Sequence, residues 1–253
     1  MKTFNPIMDI LPPSQKRLWP ELEAAPDLGY VLYGGTAIAL RLGHRDSVDF
    51  DFFSGEPLNK ELIKDSFPFI SISTTLQDSQ NTWVVLVPYG DSEKDYVKVS
   101  FFGGISYGRV GEPEFTDDVV LQVASLEDLM ATKLKVILQR AEAKDYRDVA
   151  AMINAGIKLD EGLSAARLLY GPNFQPSESL KALLYFGDGD LHTLTSAEKQ
   201  TLASAVSSIE ELPAIKLSSE HIYDSSWMAK CSDDENLEAE PDKPKKDSSF
   251  RLG

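Results

Sequence analysis

Two short runs in this chain carry residues whose types and spacing point to chemistry. Gly34-Gly35-Thr36 follows an apolar run, Leu28 to Tyr33, that predicts a short buried strand. After it come apolar residues at Ile38, Leu40 and Leu42 that Gly43 terminates, which predicts a helix from Thr36 to Leu42 with Gly43 as its C-cap. Glycines at such a strand-to-helix turn leave backbone N–H groups and the positive end of a helix dipole open to an anion, above all a phosphate. A Gly-Gly pair serves equally well as a plain tight turn, and the Lys of a complete P-loop is absent. Twelve residues further on stands Val48-Asp49-Phe50-Asp51-Phe52-Phe53. Alternation on a strand puts both Asp side chains on one face. The flanking Val48, Phe50, Phe52 and Phe53 predict a largely buried strand, where an unpaired acidic pair is costly. A divalent cation between the carboxylates removes that cost, and Mg²⁺ takes one or two protein carboxylates together with phosphate oxygens. Phosphate cradle and acid pair together therefore predict a phosphate site next to a Mg²⁺ site, with Gly34, Gly35 and Thr36 at the phosphate and Asp49 and Asp51 at the metal.

The elements around these runs set the fold class. Residues 13–25 predict a short helix that Pro20 interrupts, and Ser47–Phe53 is the second strand, broken by Ser54-Gly55-Glu56-Pro57. Leu58 to Phe67 predicts a helix with Asn59 near its cap. Strands are predicted over Phe69–Leu76, Thr82–Val87 and Asp95–Phe102, with a polar turn at Tyr89-Gly90-Asp91-Ser92 and an edge strand over Val119–Val123. From Ser125, an N-cap with Asp128 three residues on, the period becomes helical up to about Arg140. Further helices are predicted over Asp145–Asn154, Leu159–Tyr170, Ser177–Tyr185 and Ser196–Glu210, the last capped by Ser196. The division that follows is an α/β domain over 1–123, a helical region over 124–215 and a disordered polar tail over 230–253.

Composition narrows the function classes. The chain has 253 residues and a formal net charge of −15, which argues against a protein that coats nucleic acid over its whole surface. A local basic patch remains at residues 133–147, with Lys133, Lys135, Arg140, Lys144 and Arg147, although a solvated helix face accounts for those charges equally well. There is no run of about 18 apolar residues for a membrane span. The first residues carry Pro and Asp too early for a secretory signal, and the one cysteine, Cys231, lies in the polar tail. A cytoplasmic protein is expected. His192 and His221 have no metal-ligand spacing with each other, and Trp83 reads as core. His44 and Arg45 stand within reach of the predicted pocket, the ordinary role for His44 being a turn residue that caps the preceding helix.

The glycine turn and the acid pair, at this spacing, resemble the signature of the polymerase β-like nucleotidyltransferases. LYGGTAIALRLGHRDSVDFDFFS together with DLMATKLKVILQRAEAKDYRDVAAMI resembles the AbiEii/AbiGii nucleotidyltransferase toxin family of type IV toxin–antitoxin systems, over roughly residues 28 to 154. The resemblance implies an α+β fold, a mixed sheet followed by a C-terminal helical region. It implies that Lys133 contacts the triphosphate and that Asp145 or Asp148, three apart on one helix face, helps to hold it. It also allows a two-metal site, and it implies an RNA acceptor such as tRNA and an antitoxin as protein partner. The sequence departs from the pattern at one place. Enzymes of this fold carry a third carboxylate on a later strand, and here alternation along Tyr96–Phe102 puts Lys98 and Ser100 on the relevant face, with Ser100 at the acid's position. Either Asp95, Asp117 or Asp118 compensates, or a substrate group supplies the base, or the chain turns over slowly. Two other functions follow from that departure and from the charge: a nucleotide-binding protein acting through a partner, and a nucleotidyltransferase with a small-molecule acceptor.

Overall fold

The computed structural model describes residues 2–89 and 95–225. The predicted tail with Cys231, and all of the predicted turn at 89–92 except Tyr89, lie outside the described residues. In chain order the elements are β1 (Thr3–Phe4), α1 (Pro13–Leu18), β2 (Val31–Tyr33), α2 (Gly34–Leu42), β3 (Asp49–Phe53), α3 (Lys60–Ser66), β4 (Thr74–Ser79), β5 (Thr82–Pro88) and β6 (Tyr96–Phe102). They continue with β7 (Glu114–Thr116), β8 (Gln122–Val123), α4 (Leu126–Val136), α5 (Ala143–Asn154), α6 (Leu159–Tyr170), α7 (Pro176–Leu184) and α8 (Ser196–Ser207). The strands form one mixed sheet of eight, in the order β1-β7-β8-β2-β3-β6-β5-β4. The pairs β1/β7, β8/β2 and β3/β6 are parallel, and the others antiparallel. This is the α+β architecture expected.

The centre of the sheet explains the site. On β3, Phe50 and Phe52 turn to the closed face and are fully buried, which leaves Asp49, Asp51 and Phe53 on the other face. On β6, Val97, Val99 and Phe101 do the same, with Phe52 and Phe101 stacked at 5.6 Å. The parallel register sets Asp49 opposite Lys98 and Asp51 opposite Ser100. Helix α2 follows β2 without a loop and ends at Gly43, whose φ of +64° and N–H bond to the Ala39 carbonyl (2.8 Å) form the left-handed C-cap expected. Helix α2 packs on α4 and α5, and one apolar core runs from Ile10 to Leu202 through both the sheet and the helices. Among the described residues no helix is long and apolar enough to cross a membrane.

Several expectations are corrected. Phe69–Leu76 is not one strand: Pro68 starts a 3-10 turn over Pro68–Ile72 that buries Phe69 and Ile70, and β4 begins only at Thr74. The Ile–Ser alternation mimics a strand period, but Ile72 is exposed while Ile70 is buried. Val119–Val123 is no edge strand either. Val119 sits in a turn with φ of +61°, its N–H on the Thr116 carbonyl, and the two-residue β8 lies inside the sheet between β7 and β2. The outer strands are β1 and β4. Val48, expected to be buried, is 52% exposed because β3 begins one residue after it. Helix α8 is capped by Thr195, not Ser196, through a full capping box with Glu198. Asn59 and Ser125 cap α3 and α4 as expected, accepting from Leu62 N and Asp128 N at 3.1 Å each.

Candidate active site

A cavity of about 560 Å³ opens over the exposed face of β3 and β6. Gly34, Gly35, Thr36, Asp49, Asp51 and Lys133, all singled out by sequence, line it together. Thr132, Val136, Arg140 and Lys144 line it too, so α4 and the segment leading into α5 form one of its walls.

At the β2–α2 turn Gly34 is required by its backbone and by what faces it, and Gly35 makes room for the Arg45 guanidinium. Gly34 has φ of +76°, and a Cβ there would lie 2.6 Å from the Asp51 Oδ2. A Cβ on Gly35 would lie 2.2 Å from Nη2 of Arg45 and 3.4 Å from Oδ2 of Asp148. The N-cap residue Tyr33 makes no side-chain bond to this N-terminus, which leaves first-turn N–H groups of α2 available to a ligand or solvent. Thr36 has a different part. Its buried hydroxyl bonds to Ser47 Oγ (2.7 Å) and to the Asp49 carbonyl, tying α2 to the start of β3.

The two carboxylates of β3 differ in surroundings. Asp49 holds the Lys98 ammonium at 2.8 Å. Burial pushes the Asp51 carboxyl above the usual carboxylate range, against the opposite pull of the Ser100 hydroxyl and the Lys98 and Lys133 ammonium groups. The carboxylate beside Ser100 is Asp51 itself, and no third acid joins the Asp49–Asp51 pair on this face among the described residues. Among the described residues the acids lining the cavity are Asp46, Asp49 and Asp51. Asp95, Asp117 and Asp118 do not line it, and Asp118 instead accepts from the Trp19 indole (2.7 Å) and the Thr116 hydroxyl (2.5 Å). Compensation by one of these three is therefore not built into the fold. Among the described residues no group of three or more His, Cys, Asp or Glu is arranged to hold a metal. A pair of carboxylates open to phosphate oxygens does fit one Mg²⁺.

Behind the cavity wall lies a buried ionic network that the spacing alone did not reveal. The Lys133 side chain is 6% exposed, and its ammonium is 2.6 Å from Asp145 Oδ1 and 2.6 Å from Asp148 Oδ2. Arg140 adds bonds to Asp145 at 2.8 and 3.2 Å. Asp148 also takes Arg45 through Nε (2.7 Å) and Nη2 (2.9 Å), and His44 Nε2 at 2.7 Å. Burial alone would raise the Asp148 carboxyl, but His44, Lys133 and Arg45 outweigh it and hold the group well below its ordinary range. Asp145 is lowered likewise, its burial offset by Arg140 and Lys133. Asp145 and Asp148 do not line the cavity; both stand behind Lys133. Gly43 caps α2, so His44 is not the cap expected: its ring is pinned to Asp148, with Nδ1 buried and unpartnered. Lys98 and Ser47 had no assigned role from sequence, and Arg140 only a place in the candidate basic patch. Alternation had placed Lys98 on the correct face, but its pairing with Asp49 depends on the parallel register of β3 and β6.

A helix N-terminus with two glycines beside an acidic sheet face suits a phosphate with a divalent cation, and the matching family model puts this α+β chain in the nucleotidyltransferase class. The chain belongs to the AbiEii nucleotidyl transferase toxin family of type IV toxin–antitoxin systems, whose model matches residues 18–217. An uncharacterized protein of Aquifex aeolicus (strain VF5) is 32% identical over 174 residues, which is 66% of this chain and 80% of that protein. Among solved structures, MenT4, a nucleotidyltransferase toxin from Mycobacterium tuberculosis H37Rv, is similar with a TM-score of 0.47 and 14% identity, over 76% of this chain and 82% of that one.

Proposed function

We propose that this chain is a metal-dependent nucleotidyltransferase that moves a nucleoside monophosphate from a nucleoside triphosphate to an RNA acceptor in the cytoplasm, a toxic activity restrained by an antitoxin protein. The observation that carries the reading is the meeting of the α2 N-terminus, the Asp49–Asp51 face and Lys133 in one cavity. In the reaction an acceptor oxygen bonds to the α-phosphorus as the bond to the β-phosphate breaks, the acceptor proton passes to solvent, and pyrophosphate leaves. The α2 amides at Gly34 and Gly35 orient the phosphates, which their missing side chains allow to come close. Lys133 faces the leaving pyrophosphate and is fixed in place by Asp145 and Asp148. Asp49 and Asp51 would hold Mg²⁺, which supplies Lewis-acid stabilisation of the charge that develops on the phosphoryl oxygens. The rest of the catalysis is positioning and preorganised charge. Residues 1–123 are read as the nucleotidyltransferase domain, with the helical region over 124–215 completing its cleft.

The RNA acceptor is proposed from the family resemblance, because the five cations lining the cavity, Arg45, Lys98, Lys133, Arg140 and Lys144, are each paired with a carboxylate and leave no local positive excess. The test is incubation with labelled nucleoside triphosphates, Mg²⁺ and total RNA. Transfer of label to RNA that Asp51→Asn abolishes supports the proposal; label on a small molecule would replace the acceptor assignment. Ser100 at the third acid's position favours one other reading, a nucleotide-binding protein without turnover. Tight nucleotide binding with no transfer to any acceptor would establish it. In cells, Asp49→Ala and Asp51→Ala should each relieve growth inhibition in the absence of antitoxin.

A further inference from the structure

Lys98 is a cation built into the acid pair itself. The register that sets it opposite Asp49 brings its ammonium to 2.8 Å from Asp49 Oδ2, on the cavity face and beside Asp51. We propose that this ammonium occupies the place of a second divalent ion, so that the site takes one divalent cation and Lys98 supplies the remaining charge. The inference rests on the nucleotidyltransferase reading above.

The donor set supports one ion. Two-metal sites place their ions about 3.5–4 Å apart, and each ion needs its own oxygen ligands in addition to those that bridge. Beyond Asp49 and Asp51, Asp46 is the one other described carboxylate that lines the cavity, and it is exposed on the loop ahead of β3. At the register position opposite Asp51 stands Ser100, whose neutral hydroxyl is engaged with Asp51. To bridge two ions, Asp49 would also have to release Lys98. Charge gives the same answer. A second divalent ion together with the carboxylate that holds it adds a net single positive charge, and so does an ammonium. Lys98 with Ser100 therefore preserves the net field of a two-metal, three-acid site with one acid and one ion fewer. What it does not preserve is inner-sphere contact: an ammonium reaches oxygen at hydrogen-bond distance, near 2.8 Å, whereas Mg²⁺ binds at about 2.0–2.1 Å. The acceptor oxygen is then activated less strongly than beside a metal.

Counting ions tests this without reference to activity. Mn²⁺ is titrated into the full chain in the presence of each of the four α,β-methylene nucleoside triphosphates, and bound ion is followed by electron paramagnetic resonance. The wild type is expected to hold one Mn²⁺ per chain, with no signal from a coupled pair. A double variant, Lys98→Ser with Ser100→Asp, is expected to hold two and to show the coupled-pair signal. Two ions in the wild type overturn the proposal, whether or not the variant folds. So does a double variant that keeps the wild-type circular dichroism spectrum and still holds one. No bound Mn²⁺ at all would overturn the metal-dependent function itself, a result distinct from a count of two.

Discussion

Asp148→Asn is the substitution that most directly probes the network behind the cavity. The side chain is fully buried and accepts from Lys133, Arg45 and His44 at 2.6–2.9 Å. Asn keeps the shape, but its NH₂ group cannot accept from a guanidinium or an ammonium. Removing one partner of a buried ion pair costs about 3–5 kcal/mol, because the other charge remains buried. Lys133 keeps Asp145, and Arg45 has an edge toward the cavity, so the low end, about 3 kcal/mol, applies here. At about 2–4 °C per kcal/mol for a chain of this size, the Tm at pH 7 should fall by roughly 6–12 °C. The pH dependence follows from the direction of the shift. Asp148 is held below its ordinary value of 3.8, so its stabilising effect is complete at neutral pH. As the medium drops below 3.8 the unfolded chain takes the proton first, and the advantage over Asn shrinks by about 1.4 kcal/mol per pH unit. Thermal unfolding followed by circular dichroism between pH 7 and pH 3 reads both effects. A Tm loss under about 2 °C at pH 7, or a gap that does not narrow in acid, would refute the reasoning.

Three other substitutions separate stability from chemistry. Gly34→Ala places a side chain at a left-handed φ, at about 1–2 kcal/mol, and drives the Asp51 carboxylate aside; urea unfolding should show the loss, and label transfer should vanish. Asp51→Asn removes a carboxylate whose ionised form is disfavoured by burial, so the metal-free protein should gain stability at pH 7, on the order of 0.5–2 kcal/mol, while losing transfer. Because the folded-state value is raised, the wild type recovers stability as acid protonates Asp51, and the two unfolding curves should converge on acidification. Thr195→Ala opens the capping box of α8 far from the cavity, and should cost about 1 kcal/mol by urea unfolding with transfer unchanged.

What the sequence made legible was local. The glycine turn, the alternation of Asp49 and Asp51 and the caps at Gly43, Asn59 and Ser125 depend on neighbouring residues, and each stands where periodicity and cap chemistry put it. What was missed depends on partners distant in the chain. β1 and β7 have two and three residues, too short to show a period, and they exist because they pair with each other and with β8. The 3-10 turn at Pro68 wins over the strand pattern because Phe67 and Phe69 pack together, with Phe67 at 5.4 Å from Phe101. Asp145 and Asp148 were rightly placed on one helix face, but their joint grip on Lys133 needs α4 and α5 packed side by side. The links from Asp148 to His44 and Arg45 need α2 packed on α5.

That packing has a consequence for binding. Each of the five cations lining the cavity already holds a carboxylate: Lys98 on Asp49, Lys133 on Asp145 and Asp148, Arg45 on Asp148, Arg140 on Asp145, and Lys144 on Glu142. Paired in this way they attract a triphosphate less than free cations would. In exchange they do not have to be ordered when it arrives. Immobilising a long side chain costs about 0.5–1.5 kcal/mol, so the three least exposed, Arg45, Lys98 and Lys133, avoid roughly 1.5–4.5 kcal/mol of ordering on binding. In the transfer proposed above, fixed charges would also need no reorganisation as negative charge shifts from the α-phosphate to the leaving pyrophosphate, which is where electrostatic catalysis gains most. Such a design gives up ground-state affinity for a field set in advance. Because Asp148 holds both Lys133 and Arg45, its loss should lower kcat more than it raises KM for the triphosphate. Single-turnover and steady-state kinetics of Asp148→Asn would show it, and a change confined to KM would mean that the network serves binding alone.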